Sequence, residues 1–226
     1  PLVWVAETGS ANIGFDKQEQ LLNQVKTWLP DGAKVMLLAD RFYPSIGLFE
    51  WLAKHQWQYR LRLKSNFIVD LGEGDETTTG ALATDVKERY APNIRLFGRQ
   101  NIMTHLGILH ENGHEEPWII AMDCLPSRTK VLEYAARWGI EPTFSDFKSR
   151  GFQLEDSKLE HADRCERLIL IMALAMHWCV RIGLEDAQQR PTALEKKRKL
   201  KPTVRTGVSR NFGAVCFPFL LAGEGI

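Results

Sequence analysis

The segment YAARWGIEPTFSDFKS, residues 134–149, carries an aromatic hydroxyl, a guanidinium, a carboxylate and an ammonium: Tyr134, Arg137, Glu141 and Lys148. On an ideal α-helix these fall at roughly 0°, 300°, 340° and 320° around the axis, one narrow stripe. Such a stripe is either a solvated face or a working edge. In the second case the four residues form a catalytic edge, and the rest of the chain decides between the two. Asp40 is a further candidate, because it ends the apolar run AKVMLLAD at 33–40, and the carboxyl edge of a parallel sheet is where ligands collect. Its bland alternative is a residue that opens a turn or caps the next helix. Asp123, ending WIIAMD at 118–123, carries the same two readings.

The elements that would present these groups alternate. PLVWVAE at 1–7 reads as a strand, and residues 16–29 read as an amphipathic helix with Leu21, Leu22, Val25, Trp28 and Leu29 on one face. Asp16 and Glu19 give that helix a capping-box-like start. Residues 33–40 form a strand covered on both faces, and Pro44 opens a helix carrying Ile46, Phe49, Leu52 and Ala53 inward. YRLRLK at 59–64 alternates like a half-exposed strand. Residues 65–117 read as a β-rich insertion, WIIAMD as another buried strand, and 128–138 and 157–183 as helices. The order is that of an α/β fold. The divisions are 1–64 for the first part of the core, 65–117 for the insertion, 118–187 for the rest of the core and 188–226 for a basic tail and irregular carboxy terminus.

With 226 residues and 44% hydrophobic content the chain is long enough to bury a substantial core. Its net charge of +1 conceals an uneven distribution: residues 188–205 hold seven Lys or Arg against one Glu. Such a run stays solvated and touches polyanions. Cys124, Cys165, Cys179 and Cys216 show neither CxxC pairing nor histidines at metal spacing, which is the usage of a reduced, intracellular protein. His105, His110 and His114 lack metal spacing too and read as surface residues. No leader is read at the amino terminus. The run LILIMALAMHWCVRIG at 168–183 is short for a bilayer span and contains His177 and Arg181, so a buried helix is expected there and no membrane partner.

Taken together, Tyr134-x2-Arg137-x3-Glu141-x6-Lys148, LLADRFYPS at 37–45 and RWGIE at 137–141 resemble the DDE transposases of bacterial insertion sequences, specifically the insertion-sequence-four-like family. The resemblance covers roughly residues 1–183. It implies a ribonuclease H-like core with a β-rich insertion before the last catalytic helix. It also implies that Asp40 and Glu141 are the second and third metal-binding carboxylates, for Mg²⁺ or Mn²⁺, and that they approach each other in the fold. Tyr134, Arg137 and Lys148 match positions that contact DNA phosphates. Trp118 either packs within its strand, the commoner fate, or stacks on a base flipped out at the transposon end. The implied partner is double-stranded DNA at transposon ends and target, bound by a homodimer in the bacterial cytoplasm, with the protein at the nucleoid when bound.

Two departures modify that expectation. Pro142 and Gly139 should break the helix, leaving Glu141 at a cap and Pro142 in the first turn of a second helix. The family's first catalytic Asp stands upstream of the strand that PLVWVAE resembles. The chain is therefore expected to lack it, to be a truncated catalytic domain and to cut DNA poorly or not at all; a non-catalytic DNA-binding remnant or regulator is the alternative. FGAVCFPFLLAGEGI at 212–226 is a strand, an interaction tail or a non-native reading frame.

Overall fold

The computed structural model describes residues 14–72, 74, 76–98, 102–111, 113, 115–159, 161–192 and 213–216. The strand expected at 1–7 and the basic residues from 193 onward lie outside these. The described chain falls into two compact units, one holding residues 14–140 and 213–216, the other residues 141–192. Each is taken by itself.

The larger unit is built on one mixed sheet. Helix α1 (Phe15–Trp28) precedes β1 (Val35–Ala39), α2 (Ile46–His55) and β2 (Gln58–Arg62). Then come β3 (Ile68–Asp70), β4 (Glu76–Thr78), α3 (Thr79–Ala83), β5 (Glu88–Leu96), β6 (Ile102–Leu109) and β7 (Trp118–Met122). A short α4 (Arg128–Leu132) runs into a 3-10 segment, Glu133–Ile140, and β8 (Gly213–Cys216) closes the unit. The eight strands lie in the order β4-β3-β5-β6-β7-β2-β1-β8. β1 is parallel to β2 and to β8, and the other pairings are antiparallel. The mixed α/β class read from the sequence is therefore present.

Every residue of β1 is buried, as an apolar strand covered on both faces requires. Val35, Leu37 and Ala39 meet Leu22, Leu48, Phe49 and Leu52 from α1 and α2, and the 133–140 segment lies against β1 and β2. The amino-terminal capping box does not form: α1 begins at Phe15 after Gly14, with no side-chain cap, and Asp16 lies inside its first turn. Trp28 is 47% exposed rather than inward, because the helix buries the face that carries Gln18 and Leu22. Helix α2 is capped by Ser45, whose hydroxyl accepts the Leu48 N–H. Asp40 is thus relieved of that task and makes a turn, with its carbonyl accepting the Tyr43 N–H at 3.1 Å.

The smaller unit holds α5 (Glu141–Ser145), a π turn (Asp146–Arg150), a 3-10 turn (Leu154–Ser157) and the 28-residue helix α6 (Ala162–Gln189). Phe147, Leu154, Ile169 and Met172 form its core. The expected buried helix is not what is found. α6 continues six residues past 183, is long and apolar enough to cross a membrane by length and composition alone, and is little buried. Only the stripe carrying Ile169 and Met172 meets the unit's core, while Leu170, Ile171, Leu174 and Trp178 remain exposed.

Candidate nucleic-acid site at the strand ends

Asp40 is the first residue beyond β1, half-buried, and its carboxylate accepts the Arg41 N–H at 2.7 Å. The segment that follows α4 brings other groups to it. A 3-10 helix turns once in three residues, so i and i+3 share a face. Tyr134 and Arg137 accordingly stack, with the guanidinium carbon 5.7 Å from the ring centroid. Tyr134 is 1% exposed. Burial pushes its hydroxyl up to about 12; Asp40 adds to that rise, while the Arg137 and Arg62 charges act against it. Burial raises the Tyr43 hydroxyl as well, Asp40 again adding and Arg137 opposing. Asp40, Tyr43, Tyr134 and Arg137 thus form one electrostatic neighbourhood, with Arg62 beside Tyr134.

The single α-helical stripe expected at 134–148 is not formed. The 3-10 segment ends at Ile140, α5 starts at Glu141 with Pro142 in its first turn, and the backbone then widens into a π turn. The reason is the one the residues suggested: Pro142 removes a helical donor and crowds the preceding turn. Glu141, exposed, and Lys148, half-buried, belong to the smaller unit. Trp118 opens β7 half-buried, its ring edge-to-face between Tyr134 at 5.3 Å and Trp138 at 5.1 Å. It is neither a fully buried core residue nor a free one, and Trp138 beside it is 45% exposed.

What the sequence reading missed lies beneath this surface. Arg60, on the polar side of the alternation in YRLRLK, is 1% exposed. Its Nε and Nη2 donate to Glu133 Oε2 at 3.0 and 2.6 Å, and its Nη1 donates to Asp123 Oδ1 at 2.7 Å and to the Tyr59 carbonyl at 2.6 Å. Glu133 is 5% exposed and also accepts from Lys130 Nζ at 2.8 Å. A buried charge needs such partners. The network ties β2 to the residue immediately before Tyr134, and so fixes the start of the 3-10 segment. Asp123 has its role here, accepting additionally from the Tyr59 N–H. The signal was the arginine itself, at an alternate position of a strand that another element covers.

Among the described residues no group of three or more His, Cys, Asp or Glu could hold a metal ion. His105 instead uses Nδ1 to accept the Asn93 N–H at a bulge between β5 and β6, and His114 lies outside the described residues.

A comparison with individually curated proteins returns no match. A family model described as transposase DDE domain matches residues 15–178, a span that holds Asp40, Tyr134, Arg137, Glu141 and Lys148. The strand-end carboxylate, the Tyr–Arg stack and that match agree: the chain belongs to the DDE transposase family.

Proposed function

We propose that this chain is a transposase catalytic domain of the insertion-sequence-four-like kind, with a ribonuclease H-like core, that engages duplex DNA at insertion-sequence ends and retains little or no cleavage. The observation that carries the reading is the company of Asp40: Arg137 stacked on Tyr134 and Arg62 within electrostatic reach. Tyr134 acts from below, holding Arg137 and Trp118 in place, while Arg137 and Lys148 hold phosphates and Trp118 and Trp138 offer faces to a base. Asp40 and Glu141 are the metal-facing carboxylates the resemblance assigns, for Mg²⁺ or Mn²⁺. The second reading, a DNA-binding remnant or regulator without catalysis, is favoured by the cations gathered near Asp40 and Tyr134, Arg137 and Arg62, which suit a phosphate. Both readings place the protein on DNA, as a homodimer in the complex.

The test is titration of an insertion-end duplex at several salt concentrations. Affinity should fall steeply with salt, each phosphate contact contributing about 0.9 to the slope of log affinity against log salt. Arg137→Ala should lower that slope by about one contact. A flat salt response, or no binding at low salt, refutes both readings.

A further inference from the structure

Beside Asp40 a second arrangement stands open. β1 and β2 run parallel with Ala39 opposite Leu61, so the residues just past that pair, Asp40-Arg41 and Arg62, leave the sheet side by side. Arg41 Nη1 and Arg62 Nη2 both donate to one oxygen, Oε2 of Glu116, at 2.9 and 3.0 Å. A third cation is near: Lys64 Nζ lies 5.1 Å and the Arg41 guanidinium 5.7 Å from the Phe42 ring centroid. Arg41, Arg62 and Glu116 line a cavity of about 360 Å³, together with Ser65 and Gly80. The Gly80 N–H donates to the Ser65 carbonyl at 2.7 Å, and a side chain at Gly80 would meet that oxygen at 2.8 Å, so this wall tolerates only glycine.

Glu116 and the neighbouring Asp40 face Arg41, Arg62 and Lys64, leaving local charge unbalanced toward positive. Glu116 is 59% exposed, and ion pairs so exposed are weakly held. A phosphodiester offers what Glu116 offers, two anionic oxygens in a plane that guanidinium forks match, and it brings its own charge to the uncompensated cation.

We propose that Arg41 and Arg62 form a seat for a DNA phosphodiester that Glu116 occupies in the free protein, making Glu116 a built-in competitor that the DNA backbone displaces. The seat rests on the DNA-binding reading and adds to it a separate contact with its own regulation. No covalent step is involved; one anion exchanges for another on the same donors.

The experiment is fluorescence anisotropy of a labelled insertion-end duplex over a range of salt, with melting curves to confirm folding. Glu116→Gln should tighten binding about fivefold at low salt. Glu115→Gln, the same charge change one residue away, should alter it less than twofold. Arg41→Ala and Arg62→Ala should each reduce the salt slope, by about 0.9 for one lost phosphate contact. The gain from Glu116→Gln should vanish when both arginines are alanine. Equal effects of Glu115→Gln and Glu116→Gln, or a gain that survives the loss of both arginines, overturn the seat while leaving the DNA-binding reading intact. Failure of both wild type and Glu116→Gln to bind any duplex at low salt overturns the seat and that reading together.

Discussion

Replacing Arg60 by Met tests what holds the candidate site together. The guanidinium is 1% exposed and donates to two carboxylates and a carbonyl, with a further contact to Cys124 Sγ at 3.3 Å. In Arg60→Met, Asp123, whose side chain is 24% exposed, rehydrates and keeps the Tyr59 N–H. Glu133, at 5% exposure, keeps Lys130 and loses the partner that made two bonds to it. Removing one member of a buried pair costs about 3–5 kcal/mol, chiefly through the charge left behind. That is a large part of the roughly 5–15 kcal/mol by which a domain is stable. The companion variant Arg60→Met/Glu133→Met removes both charges and substitutes apolar volume, so its loss should stay within about 1.5 kcal/mol. Urea unfolding followed by far-ultraviolet circular dichroism gives both values. A single-variant loss below about 1 kcal/mol, or a double variant as unstable as the single, would refute the argument that a buried ion pair anchors the segment bearing Tyr134 and Arg137.

Gly47→Ala should destabilise by about 1–3 kcal/mol, because its Cβ would fall 2.5 Å from the Phe15 ring and overpacking costs that much; Phe15→Ala should abolish the difference, and an unaltered melt refutes the contact. Stability should fall between pH 10 and 12: burial raises Tyr59 and Tyr134 to about 12, so above pH 10 the unfolded chain releases protons that the folded one retains, worth about 1.4 kcal/mol per pH unit for each tyrosine. Tyrosinate absorbance should then rise together with unfolding, and complete ionisation near pH 10 in a chain still folded would contradict it. Incubated with insertion-end duplex and Mg²⁺ or Mn²⁺, the chain should, on the proposed reading, cleave little or none, since the strand ends set Asp40 among cationic side chains; robust cleavage that Asp123→Ala abolishes would show the carboxylates to be misassigned.

The parts of this fold legible in the sequence are those where one physical demand dominates. VMLLA had to be a strand covered on both faces, and Asp40 at its end had to leave the sheet. Alternation in YRLRLK identified β2 yet misjudged its polar side, because periodicity reports which residues share a face and not what covers it. Arg60 sits in the interior because Glu133, 73 residues on, and Asp123, 63 residues on, supply the countercharge, a match no local window contains. The helical stripe failed for the opposite reason. Local backbone chemistry at Gly139 and Pro142 overrode the wheel, and a 3-10 turn kept Tyr134 and Arg137 together while ending before Glu141. In α6 the apolar run gave the element but not its burial, since composition cannot say which stripe finds a partner.

Electrostatic sign at the strand ends separates binding from cutting. Arg41, Arg62, Lys64 and Arg137 stand there with Asp40 and Glu116 as the carboxylates. A divalent cation needs the balance to lean toward anionic oxygen, whereas a phosphate backbone needs it to lean the other way. The described strand ends lean toward the phosphate. On the proposed reading, arginines at these strand ends hold a phosphate with or without a metal beside them. Nothing about phosphate affinity requires the metal, because the guanidiniums are positioned by β1, β2 and the Arg60–Glu133 anchor rather than by metal ligation.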